Sequence, residues 1–217
     1  MAIHSLVKTN RLFAIHLLKE HEETDPFHFL KLKTELVRDG FQKDPIIIDK
    51  KYNIVLDGHH RLNILKSLGC SKIAAYQINY LNNAKVQVRT WYPLIMNSTI
   101  DPLRLLGRYC INAKQESAND SDSKLFLKEG VHILDLDRKK AVGMLVGKVK
   151  LEYVNTEKIA MRKVKEGKAV AALSFKPISK EEVIKHALLG NKLPPKTTQH
   201  IIPNRPKDWY IPFEKLE

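Results

Sequence analysis

The sequence predicts an α/β protein, and three features predict it. Short β-branched runs alternate with segments of helical periodicity, a strand runs through a glycine turn straight into a helix at Asp57-Gly58, and several helix-like segments end near a glycine. The defining stretch runs from Asp44 to Gly69. Pro45-Ile46-Ile47-Ile48 and Ile54-Val55-Leu56 are too short for helices and are separated by the turn-like Asp49-Lys50-Lys51-Tyr52-Asn53, which predicts a strand pair. Beyond Asp57-Gly58-His59-His60-Arg61, Leu62, Ile64, Leu65 and Leu68 fall at helical spacing, and Gly69 suits a helix C-terminus.

This arrangement has a chemical consequence. A helix N-terminus offers unpaired N–H groups and the positive end of the helix dipole, a ready anion site. Gly58 lets the backbone approach a ligand, and His59, His60 and Arg61 add hydrogen-bond donors. Asp57 is a carboxylate beside that cradle, suited to a metal or a proton. The alternative is a turn whose histidines are surface donors only.

Composition narrows the class. The 217 residues suffice for one large domain or two small ones, and 43% hydrophobic with 28% charged residues is ordinary for a water-soluble globular chain. No apolar run approaches the ~20 residues of a membrane span, and Met1–Arg11 lacks a signal-peptide core, so a cytoplasmic protein is expected. Cys70 and Cys110 are far apart without metal-like spacing, which predicts buried thiols. The net charge of +13 raises a nucleic-acid partner, but the lysines are dispersed among acids with no dense basic run. A lysine-rich solvated surface is the simpler account.

Taken in order, residues 11–18 suggest an opening strand, and 19–26 an acidic loop where a catalytic base would sit. Residues 26–39 have an amphipathic helical pattern on Phe27, Leu30, Leu32, Leu36 and Val37, ended near Gly40. Strands are expected at 72–78 and 86–91, the latter running into Trp91-Tyr92-Pro93, an aromatic cluster that suits either a core edge or a ligand wall. A helix is expected within 101–109 and a polar connection at 112–124. Strands follow at 131–135, 141–146, 149–153 and 169–175, with helices at 155–166 and 179–189. Ser179 and Glu182 have capping-box spacing. Leu193 to His200 is a proline-stiffened loop carrying Lys196, Thr197, Thr198 and His200, a set suited to an anionic or zwitterionic substrate. Trp209, Tyr210 and Phe213 are expected to pack back on the body.

Asp57-Gly58-His59-His60-Arg61 between a strand and a helix resembles the phosphate-binding box of the ParB/sulfiredoxin-like superfamily. With His21-Glu22, Thr90-Trp91-Tyr92-Pro93 and Pro195-Lys196-Thr197-Thr198-Gln199-His200, the order and spacing resemble the archaeal free L-serine kinases of that superfamily. Sulfiredoxins carry a cysteine in the box, where this chain has His59 and His60. Chromosome-partitioning relatives carry a second arginine-rich motif and a helix-turn-helix, and neither follows Gly69. Residues 95–165 contribute least to the resemblance.

The resemblance implies a ParB/sulfiredoxin-like nucleotide-binding domain over residues 1–93 and a smaller C-terminal α/β lobe over 94–217 that contributes a substrate loop. It implies transfer of the terminal phosphoryl group of ATP or ADP, with Mg²⁺, to free L-serine, giving O-phospho-L-serine for cysteine synthesis. By that resemblance Glu22 is the base, with Glu20 or Glu23 in competing register. Asp57 sits at the reaction centre and on Mg²⁺, and Gly58, His59, His60 and Arg61 hold phosphates. Trp91 walls the serine, and Lys196, Thr197, Thr198 and His200 meet its carboxylate or the transferred phosphate. The competing functions are a nucleotide-dependent, DNA-binding regulatory protein of ParB type, and a kinase for another small alcohol.

Overall fold

The strand pair expected on either side of Asp49–Asn53 is present in the computed structural model, which describes residues 12–96, 99–111 and 123–217. The chain begins with β1 (Leu12–Ala14), a 3₁₀ turn at Ile15–Leu17, β2 (Lys19–Glu20), α1 (Pro26–Asp39), β3 (Phe41–Gln42), β4 (Ile46–Asp49), β5 (Ile54–Asp57), α2 (His59–Ser67) and β6 (Lys72–Ile78). Next come β7 (Gln87–Arg89), β8 (Tyr92–Ile95), α3 (Pro102–Leu106), β9 (Cys110–Ile111), β10 (Ser123–Leu127) and β11 (Gly130–Leu134). The order is completed by α4 (Arg138–Leu145), β12 (Leu151–Val154), α5 (Glu157–Lys165), β13 (Ala171–Phe175), α6 (Lys180–Leu189), β14 (Gln199–Ile201) and β15 (Ile211–Pro212).

The elements fall into two units. The first comprises the described part of Met1–Gln87 together with Ser179–Pro195 and His200–Glu217, and the second comprises the described part of Val88–Ile178 with Lys196–Gln199. The sequence suggested contiguous lobes at 1–93 and 94–217. The first unit is discontinuous because its C-terminal segment is bound into it: β15 pairs antiparallel with β3, and the Leu216 carbonyl accepts from the Ser71 and Lys72 N–H groups. Trp209 and Phe213 pack on the same core as expected, whereas Tyr210 stays exposed with its ring 5.2 Å from that of Phe41.

In the first unit a five-stranded mixed sheet runs β1-β6-β4-β5-β2, with β4 parallel to β6 and β5 parallel to β2. Its core is Ile46, Ile48, Val55, Leu62, Leu65 and Ile73, all fully buried, so β4 and β5 read as continuous apolar runs rather than alternating ones. The opening strand expected over 11–18 is instead two short strands broken by the 3₁₀ turn. α1 has the expected span: Asp25 caps it by accepting from His28 N–H, and Gly40 ends it in the left-handed region. Of its predicted apolar face only Leu36 is buried; Phe27, Leu30 and Val37 are exposed.

The second unit holds a six-stranded antiparallel sheet, β12-β8-β13-β10-β11-β9. Leu94 of β8 faces Ala160 and Val164 of α5, while its neighbour Ile95 faces Leu106, Ala141, Val142 and Leu145, as strand alternation requires. The strand expected at 141–146 is α4. Asp137 caps it through Lys140 N–H, and Ala141, Val142 and Leu145 lie on one helical face. β8 and most of β10 went unassigned in the sequence, because Pro93 and the polar residues before Ser123 break the pattern; 112–122 lie outside the described residues. Cys70 is buried as expected, but Cys110 is only half-buried.

Gly58 joins β5 to α2 with φ of +101°, and a β-carbon there would overlap Ile46 Cγ2 and lie 2.9 Å from Ile46 Cβ. Gly58→Ala is expected to lower stability by about 2–4 kcal/mol, combining left-handed strain with overpacking. An unchanged urea midpoint for that variant would contradict this account of the turn.

Candidate active site

The turn after β5 is shaped by a β-bulge. Ile47 of β4 pairs with Asp57 while Ile48 pairs with Val55, which leaves Leu56 out of register. Two histidines bond carbonyls at this strand end. His21 Nδ1 donates to the Val55 carbonyl at 2.9 Å, and the His200 ring bonds the Leu56 carbonyl. His200 Nε2 lies 2.8 Å from the hydroxyl of Tyr80, which is itself buried. In a neutral ring the N–H donates to the carbonyl, so the Tyr80 hydroxyl donates to Nε2. His59 completes the cluster, its ring 4.6 Å from that of His21, and its Nε2 is buried with no hydrogen-bond partner among the described residues.

Burial holds these rings neutral. Desolvation pulls His21 down to about 4, only partly opposed by its bond to Val55, and pulls His200 down to about 3. His59 is driven well below the usual range by the same cause, reinforced by the neighbouring His21 and His200. His200, expected on the substrate, is thus used inside the protein, with both ring nitrogens engaged. The first turn of α2 has no side-chain cap. His60 Nε2 accepts from the Asp25 N–H at 3.0 Å, so this ring is directed to the start of α1.

The acidic loop is sorted by its surroundings. Glu20 is buried and meets Lys66 at 2.7 Å, Asn63 at 2.7 Å and Lys192 at 3.3 Å. Burial alone would raise its carboxyl, but the Lys66 and Asn63 hydrogen bonds and the two lysine charges bring it below the usual range. Such a carboxylate is a structural anchor and a poor base. The Glu22 backbone is clamped: Leu193 N–H donates to the His21 carbonyl at 2.8 Å, and Glu23 N–H donates to the Leu193 carbonyl at 2.9 Å. Glu22 is half-buried and Glu23 exposed.

At the turn itself, Arg61 Nη2 donates to Asp57 Oδ2 at 2.9 Å, while Nη1 donates to the Asp44 and Pro45 carbonyls at 2.7 and 3.0 Å. A second guanidinium, Arg205, reaches the same oxygen at 3.2 Å. Neither Arg205 nor Tyr80 carries a motif, and the sequence offers no signal for either.

The remaining expected residues belong to the second unit. There Lys196 Nζ lies 5.1 Å from the centre of the Trp91 ring, a cation–π contact, and Trp91 Nε1 donates to the Thr198 carbonyl at 3.1 Å. Thr90 Oγ1 donates to the Thr197 carbonyl at 3.1 Å. Arg138, buried at the start of α4, ties these strands of chain together by donating to Thr90 Oγ1, the Trp91 carbonyl and the Lys196 carbonyl. Lys196 itself is held at φ of +62°. Arg138 was invisible in the sequence because it lies in the stretch of weakest pattern.

Among the described residues, no group of three or more His, Cys, Asp or Glu side chains is arranged to hold a metal ion, and no helix is long and apolar enough to cross a membrane.

No family model matches the chain. It is 30% identical to an ATP-dependent L-serine kinase of Staphylothermus marinus, with 95% of this chain and 90% of the relative covered. It is also 30% identical to a ParB-like protein of Sulfolobus acidocaldarius, over 92% of this chain and 91% of that one. An ADP-dependent L-serine kinase of Thermococcus kodakarensis is 25% identical over 75% of this chain and 73% of its own length. Among solved structures, a free serine kinase in complex with AMP superposes with a TM-score of 0.83 at 22% identity, covering 95% of this chain and 92% of that one.

The buried histidines make stability depend on pH. The unfolded rings protonate as pH falls through about 6.5, whereas His21 and His200 stay neutral in the folded protein until about 4 and about 3. The unfolded state therefore binds more protons in this window, and stability that is full above pH 6.5 is lost as pH falls toward 4. Each such ring contributes a slope of about 1.4 kcal/mol per pH unit. His21→Asn, which keeps a donor for the Val55 carbonyl, should show a correspondingly shallower decline in urea midpoint; an identical slope would show that His21 titrates freely.

Proposed function

The chain belongs to the L-serine kinase family, and on that premise we propose that it transfers the terminal phosphoryl group of ATP or ADP to the hydroxyl of free L-serine, releasing ADP or AMP and O-phospho-L-serine. The match to the Staphylothermus marinus enzyme over 95% of this chain carries the reading. The geometry of the turn after β5 agrees with it. The first turn of α2, whose N-cap Gly58 has no side chain to cover it, presents the positive end of the helix dipole to a phosphate. Gly58, His59, His60 and Arg61 serve this role chiefly through their backbone: Gly58 has no side chain, His59 is buried, the His60 ring faces Asp25, and Arg61 holds two carbonyls.

In the proposed reaction Glu22 takes the proton from the serine Oγ. The Oγ–phosphorus bond forms as the bond to the leaving nucleotide oxygen breaks. Phosphoryl transfer rests on positioning and charge neutralisation, so the fixed backbone on both sides of Glu22 matters as much as its basicity. Glu20 is set aside as the base because two lysines and Asn63 already occupy it. Asp57 orients the hydroxyl or the metal. Mg²⁺ fits as an ion carried on the nucleotide phosphates, with this one carboxylate from the protein, the usual economy of Mg²⁺ sites. Trp91, Lys196, Thr197 and Thr198 are assigned to the serine, with Lys196 facing its carboxylate. A cytoplasmic enzyme supplying phosphoserine for cysteine synthesis completes the reading.

Glu22→Gln is expected to lower turnover by about 10²–10⁴-fold with nucleotide affinity retained. Glu20→Gln should keep most of the turnover and lose stability instead. Steady-state phosphoserine formation by the two variants decides between them, and the reverse pattern would move the base to Glu20.

A further inference from the structure

The motif around Asp57 gives the cationic role to Arg61, but the structure gives Arg61 other work. Both N–H groups of its Nη1 are directed to main-chain carbonyls, at 2.7 Å to Asp44 and 3.0 Å to Pro45, and Nη2 is on Asp57. Its side chain is 19% exposed, and a β-carbon on Gly58 would lie 3.2 Å from Nη2, so the guanidinium is tucked beneath the turn. Turning it toward a ligand would leave two carbonyls without their donor.

Arg205 is held differently. It touches Asp57 Oδ2 at 3.2 Å through one ion pair, it reaches the His200 carbonyl through a long hydrogen bond of 3.4 Å, and its side chain is 35% exposed. It follows Asn204, whose φ is +53°, on the irregular stretch between β14 and β15. Partly exposed ion pairs of this kind contribute little and are cheap to exchange. Two guanidinium groups on one carboxylate oxygen also repel each other: burial first, and then the charge of Arg205, disfavour the charged form of Arg61. A phosphate at the α2 N-terminus would relieve that repulsion and offer Arg205 a better-matched partner.

We propose that Arg205 swings from Asp57 onto the terminal phosphoryl group of the bound nucleotide, and that Arg61 is the fixed strut that keeps Asp57 in place. This rests on the reading above that the turn after β5 holds nucleotide phosphates. The exchange couples two events, because Asp57 loses one of its two cations when a nucleotide with a transferable phosphate binds and becomes the stronger acceptor for the serine hydroxyl or Mg²⁺.

The test is calorimetric titration of AMP, ADP and ATP into the wild-type protein, Arg205→Met and Arg205→Lys, with phosphoserine formation followed separately. The expected result is that Arg205→Met weakens ADP and ATP by about 10–100-fold while AMP stays within about twofold, with Arg205→Lys between them. Added guanidinium ion should restore part of the lost turnover in Arg205→Met, which a merely structural defect would not allow. Unchanged ADP and ATP affinity, or equal weakening of all three nucleotides, would overturn the proposal. If the wild-type protein binds nucleotides with a gain from the second phosphate that Arg205→Met erases, yet makes no phosphoserine, the role of Arg205 stands and the serine reading falls.

Discussion

The bulge at Leu56 is the constraint on which the rest of the site depends. A regular antiparallel pair would carry β5 flat into its loop. Instead the extra residue re-aims the strand end, so that Asp57 pairs with Ile47 and the chain leaves through a left-handed glycine into α2. Buried main-chain groups at a strand end need partners. His21 and His200 supply them at Val55 and Leu56, and Tyr80 in turn fixes the His200 ring. Glu22, proposed as the base, directly follows His21, and Thr198, proposed for the substrate, lies two positions before His200. In both motifs a residue that builds the strand end stands within two positions of one proposed for chemistry.

Electrostatics divides the site along the same line. The buried histidines are held neutral by desolvation, so fixed positive charge at the turn comes from Arg61, Arg205 and the α2 dipole. Glu20, one residue before His21, is tied by lysines and Asn63, which leaves the loop beyond it anchored. The turn is thus cationic without a dense charge cluster, in keeping with a chain whose +13 is dispersed.

Much of this was legible in the sequence, for identifiable reasons. Asp57-Gly58 between a β-branched run and a helical period named the turn, because only glycine tolerates that backbone and that approach to Ile46. Gly40, Ser179 and Glu182 announced helix ends by capping chemistry that is local in sequence. The misreadings arose where local signals conflict with packing. The run around Val142 looked strand-like, but Asp137 and the spacing of Ala141, Val142 and Leu145 made it helical. For His200 and Arg61 the motif names residue types, not which nitrogen atoms are already bonded within the protein. Arg138 pairs with Thr90 (48 apart), Tyr80 with His200 (120 apart) and Arg205 with Asp57, farther still, and such pairings leave no local trace.

The most direct measurement is phosphorus NMR on the wild-type protein with Mg²⁺ and L-serine, supplied with ADP in one sample and ATP in another. A phosphoserine resonance appearing with AMP in the first, or with ADP in the second, is the predicted result and names the donor. Nucleotide binding without phosphoserine in either sample would contradict the assignment of L-serine as the acceptor.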